Sequence, residues 1–208
     1  MSDEKQKTDK NVNRHSYSTM ALHWLLVLIV IFEIVTVGVR SRTGVAFHII
    51  GGCFLGLVVV GHLIYHYLIR GGSPIVPRQG DVKASIILIK ATFSGSEEPP
   101  NDKYLSEQRL AYLYILTCII LVIITGLARV VRLEHQYTAL QNLRYIKILG
   151  MLHGPAIFLL VMGIAAHLGA FLIKANRPLL KSMFTGKIDL EYIKHRHAIW
   201  YAQMQKKI

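Results

Sequence analysis

Long apolar stretches dominate the sequence, and most of the charge lies in the shorter segments between them. Four stretches reach the roughly 20 residues that an α-helix needs to cross the hydrocarbon core of a bilayer. They lie at Met20–Val39, Ala46–Ile69, Leu110–Val131 and Ile148–Ile173. Backbone groups in lipid must be hydrogen-bonded within their own segment, so we expect each stretch to be a helix. The pattern predicts an all-α membrane protein, a bundle of four transmembrane helices.

The composition also indicates lipid as the solvent. Of the 208 residues, 52% are hydrophobic and 17% are charged, whereas charged residues make up about 25% of an ordinary globular domain. The 24 Lys and Arg exceed the 12 Asp and Glu, which gives a formal charge of +12. A nucleic-acid-binding protein spreads such residues over a soluble surface. Here they lie between apolar stretches, so we expect a lipid membrane as partner and no nucleic acid.

The distribution of Lys and Arg predicts the orientation. The N-terminal segment carries 4 of them, the loop between the second and third stretches 6, and the C-terminal segment 8. The two other loops together carry only 6. Because cytoplasmic loops hold the excess of positive charge, both termini are predicted to be cytoplasmic. We therefore divide the chain into a cytoplasmic segment at 1–18, a transmembrane domain at 19–175 and a cytoplasmic tail at 176–208.

One further apolar run lies in the predicted cytoplasmic loop. It extends from Val82 to Phe93 and is bounded by segments rich in Pro and Gly. The run is too short to cross a bilayer. It predicts a short helix at the membrane interface.

The candidate chemistry lies in the histidines. Ionisable residues within membrane spans are costly and are candidates for function. Of ten histidines, six fall in the predicted spans or at their ends, namely His23, His48, His62, His66, His153 and His167. The other four, His15, His135, His195 and His197, are predicted to lie in surface segments.

Spacing and depth sort the histidines into pairs. His153 and His167 are 14 residues apart, close to four helical turns, so they share one helix face about 21 Å apart. The fourth span then offers one imidazole near each membrane surface. His48 lies at the depth of His153 on the outer side, and His23 at the depth of His167 on the inner side. Each pair could bind the iron of a b-type haem through two imidazoles.

The residues leave two alternatives open. His62 is also 14 residues from His48, so it could replace His23 as the partner of His167. The histidines could also bond to neighbouring helices or line a polar cavity.

Glu33, within the first span, is interpreted as a carboxyl group bonded to another helix or as a proton-handling group near the outer haem. Several glycines could make room for haem or serve helix packing, namely Gly51, Gly52, Gly56, Gly154 and Gly163.

A set of short motifs extends from Arg14 to the end of the chain. It comprises His23-Trp24, His48 with Gly52, Lys103-Tyr104 with Gln108, Thr125-Gly126, His153 with His167, Gly186-Lys187 and His197-Ala198-Ile199-Trp200-Tyr201. With these motifs the sequence resembles the cytochrome b561-like gamma subunits of membrane-bound formate dehydrogenases. The four histidines are shared with hydrogenase cytochrome b subunits, whereas the Lys-Tyr loop and the tail are more typical of the formate dehydrogenase type.

The resemblance implies two b haems in the four-helix bundle and electron transfer between a dehydrogenase and a quinone. It implies that His48 and His153 bind the iron of the outer haem, and His23 and His167 that of the inner one. The partners would be an iron-sulfur beta subunit and a catalytic alpha subunit, with menaquinone or ubiquinone as substrate. The chain would then be the electron-transfer subunit of a complex in the bacterial inner membrane, not the subunit that oxidises the substrate.

The resemblance also implies a quinone site near His167, formed by Tyr104, Glu107 and Gln108. The family loop reads Lys-Tyr-Asn-Ala-Gly-Gln, and this chain has Leu105, Ser106 and Glu107 in place of Asn, Ala and Gly. Alternative functions are a cytochrome b subunit of a hydrogenase or another respiratory oxidoreductase, and a stand-alone cytochrome b561. A haem-free transporter or assembly factor would use the histidines for metal or protons.

Overall fold

The structure, a computed structural model, describes residues 11–39, 41–69, 74–134 and 139–206, with the backbone alone for 132–134 and 139–142. The described residues form eight α-helices and a two-stranded sheet. The strands are β1 (Asn11–Asn13) and β2 (Lys187–Asp189). The helices are α1 (Tyr17–Gly38), α2 (Arg42–Leu63), α3 (Asp81–Ser94), α4 (Ser106–Glu134), α5 (Ala139–Gly169), α6 (Arg177–Thr185), α7 (Leu190–Arg196) and α8 (Ala198–Gln205). A π-helical turn, Ile64–Ile69, continues α2, and 3₁₀ turns at Ala170–Leu172 and Lys174–Asn176 follow α5.

The predicted all-α class with four spans is confirmed. Within the described residues, four helical stretches are long and apolar enough to cross a membrane: Tyr17–Gly38, Arg42–Ile69, Ser106–Val131 and Leu143–Leu172. The third begins four residues before the predicted start at Leu110. The side-chain oxygen of Gln108 accepts a hydrogen bond from the backbone N–H of Leu105 at 3.1 Å. This is the reciprocal half of a capping box, and it allows the polar residues before Leu110 to start the helix.

The described residues separate into two compact units. The helical unit comprises those of 21–72 and 114–165, and the terminal unit those of 1–20, 73–113 and 166–208. The core of the helical unit is small and apolar, formed by Ile29, Leu55, Val59, Cys118, Ile119 and Leu160. Many large apolar side chains of this unit are exposed, such as Leu28 and Leu57. Exposed apolar faces of this kind suit helices surrounded by lipid.

The terminal unit has a core and a sheet that the hydropathy pattern did not predict. Its buried apolar residues are Leu88, Leu105, Leu179, Ile188, Ile193 and Trp200. Strands β1 and β2 pair antiparallel, with Val12 opposite Ile188. The helix predicted at Val82–Phe93 is confirmed as α3. It buries Leu88 and Ala91 and exposes Val82, Ile86 and Phe93, so its placement at the membrane interface stays a prediction.

The terminal unit contains two ion pairs between buried or half-buried side chains. Nε of Arg109 donates to Oδ2 of Asp81 at 2.8 Å, and both side chains are less than a tenth exposed. The guanidinium of Arg109 holds the pKa of Asp81 below its ordinary value. Nε of Arg196 donates to Oε2 of Glu98 at 2.9 Å. These ion pairs connect segments that are far apart in the sequence, and they fix α3 against α4 and α7 against the loop before α4.

His197 is fully buried in the terminal unit, so the prediction that it lies in a surface segment is wrong. Its Nδ1 lies 2.6 Å from the backbone oxygen of Asp102, and the Tyr192 and Trp200 rings lie against it at 5.6 and 6.1 Å. Burial, reinforced by the positive charge of Arg14, lowers its pKa to about 4. The imidazole is therefore a neutral part of the core. His135 lies outside the described residues.

Candidate functional site

A cavity of about 210 Å³ lies between the four helices of the helical unit. Each helix contributes to its wall: Val30 and Glu33 from α1, His48 and Gly52 from α2, Val122 and Gly126 from α4, and His153 and Ile157 from α5. Most of the lining is apolar, and the imidazoles of His48 and His153 share the cavity with one carboxyl group. An apolar pocket with a few converging polar groups is the usual form of a cofactor site.

His153 is the more enclosed of the two histidines, with 8% of the residue exposed. Its Nδ1 lies 2.8 Å from Oγ1 of Thr125. The single hydroxyl proton of Thr125 is donated to the backbone oxygen of Leu121 at 2.6 Å. The hydroxyl therefore accepts from His153, which places the ring proton on Nδ1 and leaves a lone pair on Nε2. A neutral imidazole with a free Nε2 is the form that binds a metal ion.

His48 faces the same cavity from α2. Its Nδ1 lies 2.6 Å from Oε2 of Glu33 on α1, with 31% of the His48 side chain and 13% of the Glu33 side chain exposed. The centres of the His48 and His153 rings are 6.5 Å apart, with the ring planes at 78°. The structure thus brings together the two residues predicted to bind the outer haem.

The spacing of the two rings fits two ligands of one ion. An imidazole nitrogen lies about 2.0–2.1 Å from a first-row metal such as zinc, and the ring centre roughly 1 Å further, so two rings on opposite sides are roughly 6 Å apart. The observed 6.5 Å agrees with this distance. Two nitrogen donors are also too few for a structural zinc site, which takes four ligands. The donor set therefore fits an iron whose other positions are filled by a porphyrin.

Two glycines have the roles that a crowded site requires. A Cβ at Gly126 would lie 3.3 Å from Cε1 of His153, so the glycine lets the imidazole lie close to α4. Gly163 instead serves helix packing. A Cβ there would lie 2.5 Å from Cε1 of Tyr114, whose hydroxyl donates to the backbone oxygen of Leu159 at 2.9 Å. The close approach of α4 and α5 depends on Gly163.

The other predicted haem ligands are not among the residues that line this cavity. His23 is half-buried on α1, its ring 5.6 Å from Trp24. His62 and His66 lie next to each other on α2 and the π turn, with ring centres 4.5 Å apart. His167 is exposed and lies 5.5 Å from the Phe171 ring. His23 belongs to the helical unit and His167 to the terminal unit, so their pairing, and the alternative with His62, stay predictions.

The three predicted quinone residues lie in the terminal unit, two of them in contact with Arg14. The guanidinium of Arg14 lies 5.3 Å from the centre of the Tyr104 ring and donates to Gln108 at 3.5 Å. Glu107 instead lines a cavity of about 220 Å³ with Asn176 and Arg196. Among the described residues, Oε2 of Glu107 and Oδ1 of Asn176 are buried without a hydrogen-bond partner.

Sequence reasoning missed Arg14, Asn176 and the role of Thr125. Thr125 had been singled out as part of a Thr-Gly motif, but the motif gave no reason to place its hydroxyl on His153. Arg14 and Asn176 occupy polar segments, where nothing in the hydropathy pattern distinguishes them from ordinary surface residues.

Comparison with known proteins identifies the family. The sequence matches the profile of the prokaryotic cytochrome b561 over residues 14–186. The chain belongs to this family. It is also similar to the nitrate-inducible formate dehydrogenase cytochrome b556(Fdn) subunits of Escherichia coli strain K12, Escherichia coli O157:H7 and Shigella flexneri. In each case 24% of 156 aligned residues are identical, which covers 74% of this chain and 68% of the relative.

Membership in the cytochrome b561 family confirms the resemblance found from the motifs. The chain is a multi-pass membrane cytochrome b, an electron-transport protein whose family binds b-type haem. The pair of imidazoles on facing helices, with one nitrogen of His153 held by Thr125, is a donor set that can bind this cofactor.

Proposed function

We propose that the chain is the dihaem cytochrome b subunit that anchors a respiratory dehydrogenase, of the formate dehydrogenase type, in the bacterial inner membrane. It carries electrons between an iron-sulfur subunit on the periplasmic side and the quinone pool. The observation that carries this proposal is the cavity in which His48 and His153 face each other at 6.5 Å. Both termini are proposed to be cytoplasmic, with the transmembrane domain at 19–175 between segments 1–18 and 176–208.

The residues around the cavity would have different roles in binding haem. His48 and His153 would hold the haem iron, and Thr125 keeps the lone pair of His153 on Nε2 through its bond to Nδ1. When bound there, b-type haem supplies reversible one-electron oxidation and reduction of its iron. The apolar walls contributed by residues such as Val122 and Ile157 keep water out. The protein controls the redox potential through the ligands, their hydrogen bonds and burial.

The second half of the electron path is proposed from the resemblance. His23 and His167 would bind the inner haem, with His62 as the alternative to His23. Glu107 would face the quinone, menaquinone or ubiquinone, with Tyr104 and Gln108 nearby. Support for Glu107 comes from its buried oxygen, which lacks a partner among the described residues and lines a cavity. A buried acceptor of this kind favours a ligand or water that donates hydrogen bonds.

Haem content tests the proposed function. We expect the purified protein, assayed as its pyridine haemochrome, to contain two b haems per chain. A chain without haem would contradict the proposal and favour a transporter or assembly factor. Reduction by a quinol, followed in the haem absorbance, then tests whether the bound haem exchanges electrons with quinone.

The partner is tested in the intact complex. If the chain is a dehydrogenase subunit, we expect it to co-purify with a ferredoxin-like iron-sulfur subunit and a catalytic subunit. Addition of formate to the membranes should then reduce the haem, whereas reduction by hydrogen would identify a hydrogenase. An isolated chain that oxidises a small reductant such as ascorbate at full rate would favour a stand-alone cytochrome b561.

A variant of Glu107 tests the quinone site. Glu107→Gln should slow quinone reduction at least tenfold, because quinone chemistry needs a proton donor beside the ring and such donors contribute about 10²–10⁴-fold. Haem content and spectra should be unchanged. Glu97→Gln, an exposed residue of the preceding loop, is the matched control. Equal quinone rates in both variants would remove Glu107 from the site.

A further inference from the structure

Glu33 is placed against the outer ligand by the packing of α1 and α2. Its Oε2 lies 2.6 Å from Nδ1 of His48, a distance short enough for a hydrogen bond, but the ring N–H is not aimed at the carboxyl oxygen. Its Oε1 is buried and has no hydrogen-bond partner among the described residues. A carboxyl group in a membrane span is costly, so its position beside one imidazole nitrogen needs a reason.

Gly51 is the residue that admits the carboxyl group. A Cβ built on Gly51 would overlap Oε1 of Glu33, and it would lie 2.9 Å from the Phe32 ring. Any larger residue at this position of α2 would move the Glu33 side chain away from His48. The contact between Glu33 and His48 therefore depends on two residues of different helices, the carboxyl group of Glu33 on α1 and the absence of a side chain at Gly51 on α2.

The contact has a known role at metal sites. A histidine that binds metal through one ring nitrogen almost always donates the other N–H to a carboxylate, a backbone carbonyl or water, which fixes the tautomer and makes the ligand more basic. His153 has the hydroxyl of Thr125 in this place. His48 has a carboxyl oxygen 2.6 Å from Nδ1, and a small rotation of the imidazole would give its N–H this stronger acceptor.

We propose that Glu33 is the positioning residue of His48: after a small rotation of the imidazole it accepts the Nδ1–H, keeps Nε2 directed at the haem iron, and lowers the potential of this haem by making the ligand more basic. This inference rests on the proposed function. It replaces the interpretation of Glu33 as a proton-handling group, because the proposed role of the carboxyl group is to hold His48 and not to transfer protons.

Two substitutions separate the charge of Glu33 from its hydrogen bond. Glu33→Ala removes the acceptor, and we expect haem affinity at this site to fall about 10–100-fold, as for other such partners of metal ligands. Glu33→Gln keeps an acceptor oxygen, so haem should be retained. The weaker acceptor should favour the ferrous form, and a tenfold change in the ratio of ferric to ferrous affinities raises the midpoint potential by about 59 mV.

A third variant tests the contact without changing Glu33. Gly51→Ala should displace the carboxyl group and raise the potential of the same haem. In the Glu33→Ala background the added methyl group meets no carboxyl oxygen and displaces only the Phe32 ring, 2.9 Å away, so Gly51→Ala should change the potential little further. Thr36→Val, one turn along α1, is the control, since the Thr36 hydroxyl bonds to the backbone oxygen of Glu33. It should leave both potentials unchanged.

Potentiometric titration of the purified protein, with haem content measured on the same samples, decides the proposal. A raised potential of one haem in Glu33→Gln and Gly51→Ala supports it. Unchanged potentials in both, with two haems per chain, would overturn it and leave the proposed function intact. Haem-free wild-type protein would instead overturn the proposed function. If Glu33→Ala does not fold, Glu33→Gln and Gly51→Ala still give the answer.

Discussion

The two units of the molecule use buried polar groups in different ways. In the terminal unit, Asp81 is paired with Arg109 and Arg196 with Glu98, and His197 contacts a backbone oxygen and aromatic rings. In the helical unit, His48, His153, Glu33 and Thr125 lie around a cavity. Polar groups that satisfy one another stabilise a fold. Polar groups that line an apolar cavity prepare a site for a ligand.

The largest expected effect is on the cavity of the helical unit. His48→Ala or His153→Ala should remove one of two b haems, because a bis-imidazole site loses an axial ligand. His62→Ala is the control, and both haems should remain if His23 is the inner ligand. Pyridine haemochrome assays on these three purified variants and on His23→Ala check this. Loss of a haem in His62→Ala with retention in His23→Ala would show that His62 is the ligand.

Breaking an ion pair should instead affect the stability of the terminal unit. Arg109→Ala leaves the buried carboxylate of Asp81 unpaired, at a cost of about 3–5 kcal/mol. Replacing both partners by Asp81→Leu and Arg109→Met should recover most of this loss, because well-packed apolar residues can substitute for a buried pair. Denaturant unfolding followed by Trp200 fluorescence in a Trp24→Phe background measures it. Equal stability of Arg109→Ala and wild type would contradict the pairing argument.

Acid should weaken the terminal unit through His197. Its folded pKa is about 4 and its unfolded value about 6.5, so the unfolded chain binds the extra proton between these values. The contribution of the neutral His197 ring to the free energy of unfolding is therefore fully present above pH 6.5. It falls by up to about 3 kcal/mol as the pH approaches 4. His197→Gln cannot titrate. The difference between the unfolding curves of this variant and wild type should shrink across that pH range. A constant difference would mean that His197 is not buried as a neutral ring.

The smallest expected effect concerns helix packing in the helical unit. Gly163→Ala adds a methyl group against the Tyr114 ring and should destabilise the protein by about 1–3 kcal/mol. Gly154→Ala on the same helix is the control, since nothing lies within 4 Å of its Cβ. Thermal unfolding in detergent compares the two. If Gly154→Ala destabilises as much as Gly163→Ala, the cost comes from the helix itself and not from the contact with Tyr114.

The sequence was sufficient to predict features that follow from the length and the geometry of individual helices. Span length predicted the four membrane helices. Depth in the membrane then predicted His48 as the partner of His153, and the structure places the two rings 6.5 Å apart. These features follow from helix geometry, which is the same in every chain.

Contacts between distant segments could not be predicted in this way. The pairing of Val12 with Ile188 and the burial of His197 depend on residues far apart in polar stretches, where hydropathy carries little information. The contact of Glu33 with His48 depends on the rotation of α1 about its axis, and no periodicity in the sequence sets that rotation. The role of Gly51 becomes visible only when the Glu33 side chain is in place.

The central claim is that His48 and His153 bind the same haem iron. Electron paramagnetic resonance of the oxidised protein tests it most directly, in wild type, both single alanine variants and the double variant. We predict that each single variant loses the same one of two low-spin ferric signals, and that the double variant loses nothing more. Loss of a different signal in each single variant, or of neither, would contradict the account.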